Sequence, residues 1–197
     1  PPTISAGGAT SSLIVGGNYS LSIYARNGST SGTLSLFDPG DTITYRITYT
    51  LAQGDFENFR LDSFLPLPIL STGDADANGV GGPVWTFDPA YAPGGAQQAG
   101  DAGAPAVGTF KWGPAQSAVY SSLTPTVSTD ATGNSMTWDF GTRNAGDNTL
   151  RTIDILYTLK VSNAPFADGS YMANVGQQRD ENTTGIAASQ QARTQFR

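Results

Sequence analysis

Apolar and polar residues alternate along several stretches of the chain, the pattern of strands that bury one face. In DTITYRITYTL (41–51) every second residue from Ile43 to Leu51 is apolar or aromatic, with threonines and one arginine between them. Similar alternation predicts strands in YSLSIYAR (19–26), NSMTWDFG (134–141) and TLRTIDILYTLKVS (149–162), and weaker final strands in GSYMANVGQQ (169–178) and GIAASQQARTQF (185–196).

No window shows an apolar repeat of three to four residues closed by caps, so helices should be short and rare. Turn-forming residues separate the alternating stretches, as in DPG at 38–40. Together these features predict an all-β, antiparallel, immunoglobulin-like β-sandwich. At 197 residues the chain can bury a proper core. We expect one domain over 19–197, with 1–18 as a linker or an edge strand.

The stretch from about 71 to 123 breaks the alternation and is rich in Gly, Ala, Pro and Ser. A loop of this length inside a compact domain is uncommon and is usually functional or partly disordered. Two short aromatic stretches, PVWTFDP (83–89) and GTFKWG (108–113), could anchor this loop to the rest of the domain. We therefore predict a long insertion at one end of the sandwich.

Charge and composition exclude several classes of function. The chain has 16 Asp and Glu against 10 Lys and Arg, a net charge of −6, which argues against nucleic-acid binding. It has no His and no Cys, which removes Ser-His-Asp triads, thiolate nucleophiles and the usual zinc sites. Carboxylate pairs such as Asp55 and Glu57 occur on any acidic surface, so we expect no enzyme. No apolar run is long enough for direct membrane insertion.

The segment GDADANG (73–79) spaces its oxygen-bearing side chains like a calcium loop. Asp74, Asp76 and Asn78 stand at the first, third and fifth positions, followed by a glycine. The twelfth position, which needs an acid, is Trp85, and Asp88 lies three residues further on. One interpretation is a Ca²⁺ site of Asp74, Asp76, Asn78 and Asp88. The other is a polar turn whose side chains cap their own backbone.

Aromatic residues of the insertion offer a second candidate site. Trp85, Tyr91 and Trp112 would suit a platform for a sugar or a peptide if their rings are exposed. They could equally anchor a long loop over an uncovered sheet. The sequence leaves both interpretations open.

Four stretches together resemble the conserved repeat domain of bacterial cell-surface proteins and its isopeptide-forming fimbrial relatives, which are immunoglobulin-like β-sandwiches. They are FDPGDTITYRITYTL (37–51), GDFENFRLDSFLPLPIL (54–70), MTWDFGTRNAGDNTLRTIDILYTLKV (136–161) and SYMANVGQQ (170–178). The resemblance implies an extracellular, non-catalytic spacer or display module whose partners are neighbouring domains of the same long chain. The alternative that it implies is an adhesin domain, with or without calcium, that recognises a glycan or a protein on another surface.

The same resemblance suggests an isopeptide bond between a lysine on the first strand and an asparagine on the last. Asn174 occupies the asparagine position, but Arg26 stands where the lysine is expected. A guanidinium cannot act as the amine in this reaction, so no isopeptide bond is expected here.

Overall fold

The computed structural model describes residues 18–51, 56–72, 86–87, 103–117, 123, 125–143, 151–163, 169–181, 185 and 187–197. The described residues form strands and turns without a helix, which confirms the predicted all-β class. The strands are β1 (Tyr19–Arg26), β2 (Thr42–Leu51), β3 (Phe56–Phe64), β4 (Thr86–Phe87), β5 (Thr109–Trp112), β6 (Thr126–Asp130), β7 (Ser135–Arg143), β8 (Arg151–Lys160), β9 (Met172–Glu181) and β10 (Ala187–Phe196).

The strands form two five-stranded sheets that enclose one apolar core. Sheet A has the order β1-β2-β8-β5-β4, and sheet B has the order β10-β9-β3-β7-β6. Neighbouring strands run antiparallel, except for the two-residue β4, which is parallel to β5. The predicted antiparallel sandwich is therefore confirmed.

Aromatic rings from both sheets fill the space between them. Tyr157 of β8 lies against Trp138 of β7, with ring centroids 4.9 Å apart, and against Tyr45 of β2 at 5.4 Å. Tyr49 stacks on Phe59 of β3 at 5.4 Å. The alternation seen in the sequence is the cause, because it turns these rings inward while threonines and charged residues face out.

β8 is buried on both faces, unlike the outer strands. Its inward residues belong to the core, and its outward residues Asp154, Leu156 and Thr158 are also buried. Gly108 and Gly113 donate backbone hydrogen bonds to the carbonyl oxygens of Thr158 and Asp154, which brings the segment 103–117 alongside β8. Part of the insertion is therefore integral to sheet A.

For residues 109–112 this placement differs from the predicted insertion at one end of the sandwich, and the bounds of the insertion stay a prediction. β5 lies inside sheet A beside β8, and its Phe110 and Trp112 are 2% and 1% exposed core residues. A four-residue strand among glycines and prolines is too short for its alternation to be recognised from sequence. Residues 73–85, 88–102 and 118–122 of the insertion lie outside the described residues.

Candidate functional site

A buried hydrogen-bond network joins the two sheets near the middle of the core. The side-chain amide of Asn174 on β9 donates to the phenolic oxygen of Tyr157 on β8, 2.9 Å away. Ser63 Oγ on β3 lies 2.7 Å from the same oxygen and donates to Asn174 Oδ1 at 2.9 Å. Asn174, Tyr157 and Ser63 are each 0% exposed. We call these three residues the inter-sheet clamp.

Two neighbouring inward positions of β9, Asn174 and Gly176, are polar or small, which makes room for tyrosines from sheet A. Asn174 is followed on the inward face by Gly176, where a Cβ atom would overlap the hydroxyl of Tyr19. Tyr19 is itself buried and its hydroxyl points to the carbonyl oxygen of Asp62 at 3.5 Å. β9 therefore accepts bulky phenols from the opposite sheet and satisfies their polar ends.

The clamp is electrically neutral. Burial raises the pKa of Tyr157, and the hydrogen bonds from Ser63 and Asn174 offset only part of that rise. Burial also raises the pKa of the neighbouring Tyr45 well above its ordinary value. Both phenols thus stay protonated at physiological pH, and the clamp acts as a set of neutral donors and acceptors. Such an arrangement can hold two sheets together but offers no general base.

Arg26, the residue at the expected lysine position, belongs to a different network at the end of β1. Its Nε donates to Asp41 Oδ2 at 2.8 Å, and its Nη2 donates to Asp38 Oδ2 at 2.9 Å. Asn27 also donates to Asp41, at 2.7 Å. Arg26 and Asn174 therefore belong to two separate hydrogen-bond networks. That the chain forms no isopeptide bond stays a prediction.

A second polar centre holds residues 113–117 of the insertion against sheet A. The buried carboxylate of Asp154 accepts hydrogen bonds from Arg46 Nε at 3.0 Å and Nη2 at 2.8 Å. It also accepts the backbone N–H of Ala115 at 2.7 Å, while its own backbone N–H donates to Gln116 Oε1 at 2.7 Å. The hydrogen bond to Asp154 raises the pKa of Arg46. This bidentate pair is a structural anchor.

The structure does not support Trp112 as part of an aromatic binding platform. Its ring is 1% exposed and stacks on Phe140 of β7, with centroids 6.4 Å apart. A platform needs an exposed ring face, so this prediction is wrong for Trp112. The other two predicted platform residues, Trp85 and Tyr91, lie outside the described residues.

The predicted calcium ligands Asp74, Asp76, Asn78 and Asp88 also lie outside the described residues. Within the part of the chain that the structure describes, there is no group of three or more acidic, His or Cys side chains arranged to hold a metal ion. The calcium site stays a prediction. Nor do the described residues include a helix long and apolar enough to cross a membrane.

The sequence reveals the residues of the clamp only in part. The resemblance points to Asn174, whereas Tyr157 has the pattern of an ordinary strand residue. Ser63 and Asn174 are polar residues at inward positions of alternating strands, and that break in the pattern is the signal that could identify them. Their separation of 111 residues hides the contact.

No protein-family model matches the chain, and no curated protein sequence is significantly similar to it. Among solved structures it is similar to BcpA, the major pilin subunit of Bacillus cereus (TM-score 0.48, 10% identity, 91% of this chain and 39% of that one). It is also similar to domains D2 and D3 of the major pilin SpaD from Corynebacterium diphtheriae (TM-score 0.46, 13% identity, 90% and 51%). A third is the collagen-binding subdomain ACE19 of the Enterococcus faecalis surface protein ACE (TM-score 0.42, 9% identity, 89% and 97%).

The chain thus spans about half of the two-domain SpaD structure and 39% of BcpA. With TM-scores below 0.5 and identities of 9–13%, these likenesses establish no family for the chain. The similar structures are bacterial pilins and a surface-protein subdomain.

Proposed function

We propose that this chain is a non-enzymatic structural module of a bacterial extracellular surface protein, serving as a spacer or display domain. The observation that carries the proposal is the inter-sheet clamp, in which Asn174, Ser63 and Tyr157 tie β9 and β3 of sheet B to β8 of sheet A. The resemblance of the four sequence stretches to surface repeat domains supports the extracellular, adhesin-like or fimbria-like setting.

The clamp suits a module that must stay folded under load. Separating the two sheets would break hydrogen bonds that have no water to replace them, and each such group left unpaired costs about 1–3 kcal/mol. The ring contact between Tyr157 of sheet A and Trp138 of sheet B would have to separate in the same step. Resistance to sheet separation is the mechanism that we assign to the module.

The described carboxylates with the lowest exposure also act as structural anchors. Asp62 accepts Arg179 Nε at 2.7 Å and Thr137 Oγ1 at 2.6 Å. Asp154 is held by Arg46, as described above. The oxygens of these two carboxylates accept hydrogen bonds from structural side chains and are not free to act on a substrate. This supports a non-catalytic role.

Single-molecule force spectroscopy tests the proposal directly. The chain, placed between handle domains, should unfold at a clearly lower force when Asn174→Ala removes the clamp. Gln195→Ala changes an exposed side chain of β10 and is the matched control. Equal unfolding forces for the wild type and Asn174→Ala would overturn the mechanical role.

A binding screen separates the spacer from the adhesin interpretation. The chain would be applied to glycan arrays and to extracellular-matrix proteins, with Trp85→Ala and Tyr91→Ala as variants. The spacer role predicts no saturable binding on these panels. Saturable binding that either variant abolishes would replace the spacer by the ligand-binding alternative.

A further inference from the structure

Two rows of residues across the outward face of sheet B carry positive charge on the β9 and β10 side and negative charge on the β6 and β7 side. Residues directly opposite one another on neighbouring strands share a face, so the strand register defines rows across the sheet. The first row runs from β10 to β6 as Arg193, Val175, Phe64, Ser135 and Asp130. It begins with an exposed arginine and ends with an exposed aspartate.

A second row, four residues along each strand, repeats this order of charge. From β10 to β6 it contains Ser189, Arg179, Arg60, Asp139 and Thr126. Arg179 keeps 40% of its side chain exposed, and Asp139 is exposed. In these two rows the β9 and β10 side is therefore basic and the β6 and β7 side is acidic, with β3 between them. The acidic Glu181 lies further along β9, beyond the second row.

Exposed apolar side chains lie on the same face. Phe64, on the central strand β3, is 36% exposed, and its neighbour Val175 is partly exposed. Contiguous apolar side chains edged by charges are typical of protein interaction sites.

We propose that this face binds a second copy of the same chain, face to face, about a two-fold axis that lies in the interface parallel to β3. Rotation about this axis brings the β10 side of one copy opposite the β6 side of the other. Each row of one copy then faces the same row of the other copy in reverse order. Arg193 of one copy then meets Asp130 of the other, and Arg179 meets Asp139. The two Phe64 rings meet at the axis, so the surface is complementary to itself, as an isologous dimer requires.

The row between these two contains no charge that the dimer would leave unpaired. It consists of Gln191, Gln177, Asp62, Thr137 and Ser128, and its one charged residue, Asp62, is already neutralised by Arg179. Arg60 lies on the axis strand and therefore faces Arg60 of the other copy. The group is still neutral, because each copy contributes Arg60 and Arg179 together with Asp62 and Asp139. The arrangement therefore avoids the cost of burying an isolated ion.

The face is large enough for a stable dimer. The five strands contain 5 to 10 residues each. At about 3.4 Å per residue and about 4.8 Å between strands, they cover roughly 700 Å² per copy. Two copies would bury about 1,400 Å², within the usual range of specific protein interfaces. The dimer is independent of the proposed spacer role, because a monomeric spacer and a dimeric one would both retain the clamp.

Sedimentation velocity of the 197-residue chain tests the dimer with a pair of charge reversals. Arg193→Glu and Asp130→Arg should each weaken self-association roughly tenfold or more, because each places two like-charged pairs across the interface. An equimolar mixture of the two variants should regain dimer. In the mixed dimer the carboxylate introduced by Arg193→Glu faces the guanidinium introduced by Asp130→Arg, and the other pair keeps its natural residues. Recovery on mixing is specific to this pairing.

Salt and a control variant complete the test. High salt should weaken the wild-type dimer, because the Debye length falls from ~10 Å at 0.1 M to ~3 Å at 1 M. Ser22→Glu adds a charge to the exposed face of sheet A and should leave association unchanged. Circular dichroism of each variant confirms folding. A wild-type chain that stays monomeric at every concentration, or variants that do not recover on mixing, would overturn the proposal.

Discussion

The side-chain amide of Asn174 donates to the phenolic oxygen of Tyr157 across the two sheets, over 2.9 Å and without exposure to solvent. Ser63 completes the contact from a third strand. A buried polar side chain such as that of Asn174 destabilises the fold when it lacks hydrogen-bond partners. The network must therefore form together with the core.

Asn174→Ala should lower the free energy of unfolding by about 2 kcal/mol, because it removes the bond to Tyr157 and leaves Ser63 without its acceptor. Urea denaturation followed by tryptophan fluorescence measures this loss. Gln195→Ala, at an exposed position, should change it by less than about 0.5 kcal/mol. Equal effects of the two substitutions would show that the clamp contributes nothing.

Tyr157→Phe should also destabilise the fold, and its effect should not add to that of Asn174→Ala. Each change removes the same hydrogen bond, so a double-mutant cycle should give a coupling of about 0.5–3 kcal/mol. The measurement is the unfolding free energy of the wild type, both single variants and the double variant. Additive losses would place the two side chains in independent environments.

Gly113→Ala should disrupt the anchor of the insertion. A Cβ atom at this position would overlap the carboxylate of Asp154, which is bound to Arg46. Breaking a buried ion pair costs about 3 kcal/mol or more. Gly103→Ala is the matched control, because its Cβ would lie 4.0 Å from Lys111 Nζ, an ordinary contact. Thermal melting should show a large loss for the first variant and little change for the second.

Asp41 should contribute to stability at neutral pH and lose that contribution in acid. Burial alone would raise its pKa, but hydrogen bonds from Asn27, the Asp38 amide and Arg26 outweigh burial and hold the pKa below its ordinary value. A carboxyl with a lowered folded-state pKa stabilises the fold above its unfolded pKa of ~4. The contribution therefore disappears as the pH falls through the folded-state pKa.

Unfolding free energies from neutral pH down to strong acid would measure this effect. Asp41→Asn should be less stable than the wild type at neutral pH and should approach it in acid. The control is Asp38→Asn, whose side chain is 83% exposed and whose loss should matter little. A constant difference between wild type and Asp41→Asn at all pH values would contradict the assignment.

Calcium binding at Asp74, Asp76, Asn78 and Asp88 stays a prediction that melting experiments can decide. If the ion binds, the melting temperature should rise with added Ca²⁺ and fall with a chelator, since a ligand that binds only the folded state stabilises it. Asp76→Asn should remove that response, whereas Asp101→Asn, elsewhere in the insertion, should not. An unchanged melting temperature would leave the polar turn as the remaining interpretation.

The alternating pattern predicted the long strands except β3 (Phe56–Phe64), for which it gave no strand. β1 spans the residues expected from YSLSIYAR, and β2 begins one residue inside the predicted range. The pattern failed for β6, whose sequence TVSTD is polar and lies at the edge of sheet B. An edge strand with little burial carries no apolar alternation, so nothing in its sequence marks it.

The sequence by itself determined which side chains share a face of a strand, because that follows from a period of two. It also determined the chemistry available, since a chain without His or Cys has only oxygen, amide and guanidinium groups for its sites. Only the tertiary structure decided that β5 enters sheet A, that Trp112 is core, and that Asn174 meets Ser63 and Tyr157. These contacts join residues far apart in the chain, and their geometry depends on strand order and register, which local alternation does not encode.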